Sequence, residues 1–122
     1  MDGIKFVNLT IDCADSKAMG EFYSKLLGWE TTEAWGCPLV VSPDKQYGFL
    51  FVQEDDYVPP VWPEVEGKQQ KQLHMDFQVQ DYEGSIAKAI ELGAKKAETQ
   101  FGPEHFTVML DPAGHPFCLC KG

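Results

Sequence analysis

The chain has 122 residues, of which ten are basic and nineteen acidic, for a formal charge of −9 at pH 7. A hydrophobic fraction of 43% belongs to a folded domain rather than to a disordered acidic chain, and the acidity argues against nucleic acid or an anionic membrane as partner, because both select Lys and Arg clusters. No apolar run reaches the roughly 18 residues of a membrane span, and Met1-Asp2-Gly3-Ile4-Lys5 lacks the basic and apolar regions of a signal peptide, so a cytoplasmic domain is expected.

Phe6-Val7-Asn8-Leu9-Thr10-Ile11-Asp12 places Val, Leu and Ile at odd positions and Asn, Thr and Asp at even ones. This alternation predicts a strand with one face in a core. Asp15 is placed to cap a helix over about 16–27, with Gly28 just past its end. Ala18, Phe22 and Leu26, flanked by Met19, Tyr23 and Leu27, give that helix one wide apolar stripe. Weaker strand signals follow at 29–32 and 39–41, and a stronger one at 48–53.

Between Glu54 and Gln72 the composition shifts to Pro59, Pro60, Pro63, Gly67 and many charged or amide side chains, which reads as a linker. The pattern then restarts. Leu73-His74-Met75-Asp76-Phe77-Gln78-Val79-Gln80 alternates almost without fault. A helix over about 82–92 follows, with Ile86 and Ile90 at helical spacing and Gly93 closing it. Strand signals at 106–110 and 116–120 flank the turn sequence Asp111-Pro112-Ala113-Gly114.

Both halves therefore read as strand, helix ending in Leu-Gly, then two or three strands. This internal repeat divides a single domain of 122 residues into a first module (1–55), a linker (54–72) and a second module (73–122). A module of about fifty residues buries too little surface to stand alone, so the copies are expected to pair. Cysteines 13, 37, 118 and 120 are expected to be reduced thiols. Cys118 and Cys120 point the same way on a strand, roughly 6.6 Å apart, and without a CxxC motif no structural zinc site is expected.

Four segments carry a resemblance to a known family: Phe22-Tyr23-Ser24-Lys25-Leu26-Leu27-Gly28-Trp29-Glu30, Leu73-His74-Met75-Asp76-Phe77-Gln78-Val79, Glu91-Leu92-Gly93-Ala94, and Leu110-Asp111-Pro112-Ala113-Gly114-His115-Pro116-Phe117. Together they resemble the vicinal oxygen chelate superfamily of glyoxalase I, bleomycin-resistance proteins and extradiol dioxygenases. The resemblance implies an α+β fold of two paired βαβββ modules, forming an open U-shaped barrel with a concave cleft for a small molecule. It also implies a homodimer. In that frame Val7, Leu9, Ile11, Met75, Phe77 and Val79 would face the helices, and Asn8, Thr10, Asp12, His74, Asp76 and Gln78 the cleft.

Metal-dependent members of the superfamily use His, Gln or Glu side chains, one from the first and one from the last strand of each module. The resemblance carries these positions onto Phe6, Phe51, His74 and Cys118, with Asn8 as the alternative to Phe6. Only His74 matches that pattern, and a catalytic divalent site needs about three protein ligands. The first expectation is therefore a binding protein of the bleomycin-resistance kind without a catalytic metal. Its cleft would be lined by Phe6, Asn8, Phe51, His74, Asp76 and Cys118. Trp62, in the proline-rich stretch with Tyr57, is placed either to stack on a flat or cationic ligand or to pack on a dimer partner. The alternative is a lyase or dioxygenase with a divalent metal as cofactor, His74 being the candidate ligand. Without a metal, catalysis would rest on His74 as general base beside Asp76, or on a Cys118 thiol with a depressed pKa. No serine-nucleophile, phosphate-loop or dinucleotide motif is present.

Overall fold

A computed structural model describes residues 2–122 and shows an α+β chain of two four-stranded mixed sheets and two helices. The chain divides into two compact units, one ending at Tyr57 and the other running from Val58 to Gly122. Neither sheet closes into a barrel. The first unit holds β1 (Asn8–Cys13), α1 (Ser16–Leu27), β2 (Glu30–Ala34), β3 (Cys37–Val41) and β4 (Gly48–Gln53). The second repeats the order with β5 (Met75–Val79), α2 (Tyr82–Glu91), β6 (Lys95–Lys96), β7 (Phe106–Leu110) and β8 (Pro116–Lys121). The sheet orders, β1-β4-β3-β2 and β5-β8-β7-β6, are the same pattern twice.

In each unit the first and last strands run parallel. A parallel pair needs a crossover, which the helix and the following hairpin strands supply. The helix boundaries follow local chemistry. Asp15 accepts a hydrogen bond from the Ala18 N–H at 3.1 Å, and Asp81 does the same for Gly84 at 2.9 Å. Gly28 ends α1 at φ 71°, where a side chain would be strained.

The β1 alternation is realised: Ile11 and Cys13 are buried, while Thr10 and Asp12 are exposed. The strand starts later than the alternation predicts, at Asn8, which leaves Phe6 outside the sheet and 60% exposed. Phe51 corrects a second expectation. Its ring is fully buried and stacks on Tyr23 of α1, 5.5 Å between centroids and 6° between planes. It is a core residue on the helix side of the sheet, not a cleft residue. In the parallel register Phe51 partners Ile11, so the opposite face of β4 carries Gly48, Leu50 and Val52. The reason lies in the run Gly48-Phe49-Leu50-Phe51-Val52, which is apolar at successive positions and so marks neither face.

In the second unit Phe77 and the fully buried Phe117 meet edge to face at 6.1 Å. Two details differ from expectation. Ile90 is half exposed, and the small Ala89 is the fully buried residue of α2, the helix that packs against β8. The two-residue β6, Lys95–Lys96, has no apolar signal at all. It forms because Lys95 and Lys96 lie opposite Leu110 and Met109.

Candidate ligand site

The helix-free face of the second sheet is built from the side chains that alternate with Phe117. The register sets Asp76 beside Cys118, and Val108 beside Cys118 on the other side. Val108, Cys118 and Ala97 form a buried apolar cluster, with Trp62, Phe106, Leu110 and Cys120 packed against it. Over this floor lies a hollow of about 220 Å³, lined by Trp62, Lys71, His74, Phe101, Phe106, Val108, Pro116 and Cys118. Trp62 meets Phe101 edge to face at 5.8 Å. The Lys71 ammonium sits 4.7 Å from the centre of the indole ring and is paired with Glu64, so the cation is held from two sides. The 54–72 stretch thus supplies part of the wall, through Trp62 and Lys71.

Two loops hold this floor in place. The Gln100 carboxamide donates to the carbonyls of Ala97 and Val108 at 2.8 and 2.9 Å and accepts from the Val108 N–H at 2.8 Å. It acts as a side-chain strand partner for the middle of β7. In the Asp111-Pro112-Ala113-Gly114-His115 turn, the buried Asp111 carboxylate accepts from the Ala113 and His115 N–H groups at 2.9 and 3.0 Å. That is the work of a turn aspartate, and it sets where β8 begins.

At one end of the hollow stands a cluster of three chemically active side chains. His74 Nε2 lies 3.5 Å from Asp76 Oδ1, and one ligand atom from each of His74, Asp76 and Cys118 lies within 4.8 Å of the others. Burial, the Asp76 carboxylate, the nearby Cys120 and the hydrogen bond to Asp76 push the Cys118 thiol up to about 11. Cys120 is also raised, by burial and by Asp76. A neighbouring anion and a dry wall disfavour a second negative charge. Cys118 is thus the opposite of an activated nucleophile, which corrects the reactive-thiol alternative.

Of the residues singled out from the sequence, His74, Asp76, Cys118 and Trp62 come together in the second unit. In the first unit Asn8 lines a separate hollow of about 200 Å³ with Lys5, Val7, Leu39, Val41, Lys45, Gln46, Tyr47 and Gly48. Phe6 lies 6.0 Å from Tyr47, and Phe51 is in the core. His105 is exposed near Glu104. Sequence reasoning missed Lys71, Gln100, Phe101, Phe106, Val108 and Pro116. Phe106 and Val108 were reachable from the 106–110 strand signal, since they alternate on the face that carries Cys118. Lys71, Gln100 and Phe101 lie in loops, where no period marks them.

Two βαβββ units with this strand order define a protein of the glyoxalase fold. The glyoxalase-like domain family matches residues 8–120, and the chain belongs to that family. No curated protein matches it significantly. Among solved structures it is similar to a glyoxalase/bleomycin resistance protein/dioxygenase family enzyme from Burkholderia phytofirmans PsJN, with 16% identity, TM-score 0.71, and 97% of this chain and 98% of that one covered. It is also similar to TnmS3, an antibiotic binding protein from Streptomyces sp. CB03234, at 14% identity and TM-score 0.64, covering 99% and 98%. The fosfomycin resistance protein FosX from Mesorhizobium loti is similar at 13% identity and TM-score 0.64, covering 100% and 93%. At these identities the likeness is one of fold.

The divalent metal that the superfamily resemblance implies does not fit the four family positions. Phe6 and Phe51 carry no donor atom, and Phe51 is turned into the core.

Proposed function

We propose that the chain binds a small, flat, largely apolar organic molecule in the hollow of the second unit, without a catalytic metal. The observation that carries this reading is the lining of that hollow: an indole, two phenyl rings, Val108, Pro116 and a protonated thiol, with His74 and Lys71 as its polar members, around about 220 Å³. Hollows of this make-up favour aromatic and aliphatic ligands, with a few polar groups to set orientation. The volume is below the usual range for drug-sized ligands, so the occupant is about the size of a one- or two-ring compound, or protrudes from the mouth. Lys71, already held by Glu64 and the indole, favours a neutral ligand over the cationic one that the net charge suggests. The antibiotic-binding role named for TnmS3 is compatible with such use of the fold. A homodimer in the cytoplasm belongs to the same reading, and a solution mass of one chain would remove the dimer from it.

The test is a titration of chelator-treated protein with neutral one- and two-ring aromatics, followed by tryptophan fluorescence and calorimetry. Saturable binding that weakens at least tenfold in Trp62→Ala supports the reading. Binding left intact by Trp62→Ala and by Val108→Asp, or no binding across the series, overturns it. One observation favours a second, metal-dependent reading, the cluster of His74, Asp76 and Cys118.

A further inference from the structure

We propose that the hollow of the first unit is a binding site for a small amphipathic carboxylate, an anionic head on a short aliphatic chain or a single ring. The proposal concerns the other unit and a charged ligand rather than a neutral one. It goes beyond the reading given for the second unit and does not depend on it.

The hollow exists because a side chain is missing. Gly48 opens β4 between Asn8 of β1 and Val41 of β3, the three lying in register across the sheet. A Cβ on Gly48 would come 2.8 Å from Leu39 Cδ1, so any side chain there would displace Leu39 and fill the space. Glycine in a strand packs nothing and often marks a place where a ligand approaches the backbone closely. Leu39 and Val41 supply an apolar wall, and Val7 and Tyr47, each about half exposed, add carbon surface nearer the solvent. The enclosed volume is about 200 Å³.

The same hollow carries positive charge and no carboxylate, in a chain whose net charge is −9. Lys5 and Lys45 line it, with the amides of Asn8 and Gln46. Among the described residues Lys5 makes no ion pair. Lys45 meets Glu30 at 2.9 Å, but both side chains stand largely in water, where such a pair is weak and yields to a better placed anion. The one acid of the β3–β4 loop is engaged elsewhere: Asp44 accepts from the Ser42 hydroxyl at 2.6 Å and from the Gln46 N–H at 3.0 Å. The buried Ser42 hydroxyl in turn accepts from the Tyr47 N–H at 3.0 Å, so the loop that presents Lys45, Gln46 and Tyr47 is pinned. Lysines act as mobile point charges. Set over an apolar wall, they suit a molecule that is anionic at one end and carbon at the other. A cation is repelled there, and a neutral ligand leaves Lys5 unpaired.

The test is a titration of full-length, isotope-labelled protein at low salt, read through its backbone amide resonances. Benzoate and hexanoate are the probes, with benzamide and hexanol as neutral counterparts and inorganic phosphate as a bare anion. The expected result is saturable shifts at Leu39, Tyr47 and Gly48 with both carboxylates, weakened by added salt. The neutral counterparts and phosphate should bind roughly tenfold more weakly, since each lacks one half of the recognition. Lys5→Met and Lys45→Met should each weaken benzoate binding roughly threefold or more. Lys17→Met, the same charge change on an exposed position of α1, should leave it unaltered. Gly48→Ala should abolish binding by filling the floor; the lysines are exposed, so their variants remain folded and decide the matter even if Gly48→Ala does not fold. Absence of shifts, shifts confined to Val108 and Cys118, or equal binding of phosphate or a neutral counterpart overturns the proposal. So does benzoate affinity unchanged in the Lys5→Met, Lys45→Met double variant. Neutral aromatics report on Trp62 and Val108 in the second unit, so failure of either experiment leaves the other standing.

Discussion

The two units share a strand order and differ in what their sheets offer. In the second, the helix-free face presents Phe106, Val108 and Cys118 beneath Trp62, and the three potential metal donors gather at its edge. In the first, the corresponding hollow is rimmed by Lys5, Lys45, Gln46 and Asn8, and β4 turns Phe51 into the core. One backbone plan therefore carries one apolar, donor-bearing hollow and one of mixed lining, where Lys5, Asn8, Lys45 and Gln46 share the wall with Val7, Leu39, Val41 and Tyr47. The lesson is that a repeat preserves strand pairing and helix packing while the alternate face is free to diverge, because the helix side alone must be apolar for each unit to fold.

That contrast can be broken first at Phe51. As a buried ring stacked on Tyr23, it should cost about 3–5 kcal/mol when replaced by alanine, read by urea denaturation. Phe6→Ala, at an exposed position outside the sheet, should change stability by no more than about 0.5 kcal/mol. Equal, small effects would return Phe51 to the cleft.

The next largest effect concerns Cys118 in chelator-treated protein. Its folded pKa of about 11 lies above the ordinary value of 9.0. From about pH 9 to 11 the folded chain therefore retains a proton that the unfolded chain has lost, and stability falls as pH rises through that window. Compared with Cys118→Val, the wild type should lose about 2 kcal/mol more between pH 8.5 and pH 11. Parallel stability curves for the two proteins would show that the thiol is not held protonated. By the same logic Cys118 should be alkylated more slowly than the more accessible Cys37 at pH 8.

Gln100→Glu sharpens the role of the loop that supports the hollow. The carboxylate keeps an acceptor for the Val108 N–H but loses both hydrogen bonds to the Ala97 and Val108 carbonyls. A loss of about 1–3 kcal/mol is expected, together with faster amide exchange at Val108. Unchanged exchange there would remove Gln100 as the clamp of β7.

The smallest effect is at the β2–β3 turn of the first unit. Trp35 and Gly36 are its two central residues, at φ 52° and 75°, and Trp35 is 85% exposed. A two-residue hairpin with both residues at positive φ favours Asn-Gly. Trp35→Asn should therefore raise stability by about 0.5–1 kcal/mol, measured as an increase in Tm; a decrease would mean that the indole makes a stabilising contact.

Much of the fold was legible in the chain. The Asp15 cap and Gly28 stop bracket α1, and the alternation around Ile11 and Phe77 marks strands with two unlike faces. These signals are local, because capping and side-chain period act within a few residues. The faces of β1 and β5 could be assigned for the same reason, and with them His74 and Asp76 as neighbours on one side. The apolar runs of β4 and β8 have no such period. Only pairing with β1 turned Phe51 toward the helix, and only pairing with β5 set Cys118 beside Asp76.

The remaining parts of the site were decided by tertiary structure alone. Nothing in the sequence near Lys71, Gln100 or Phe101 announces that they meet over Val108, since loop residues separated by tens of positions converge only when the sheet brings their anchors together. The short β6 exists because β7 offers an edge to Lys95 and Lys96, not because those residues favour a strand. What the sequence determined by itself was the repeat, the caps and the alternating strands, which depend on the chain's own short-range geometry. The hollow, its apolar floor and the meeting of His74, Asp76 and Cys118 depend on strand register. Register is set by hydrogen bonding and packing between segments some forty residues apart.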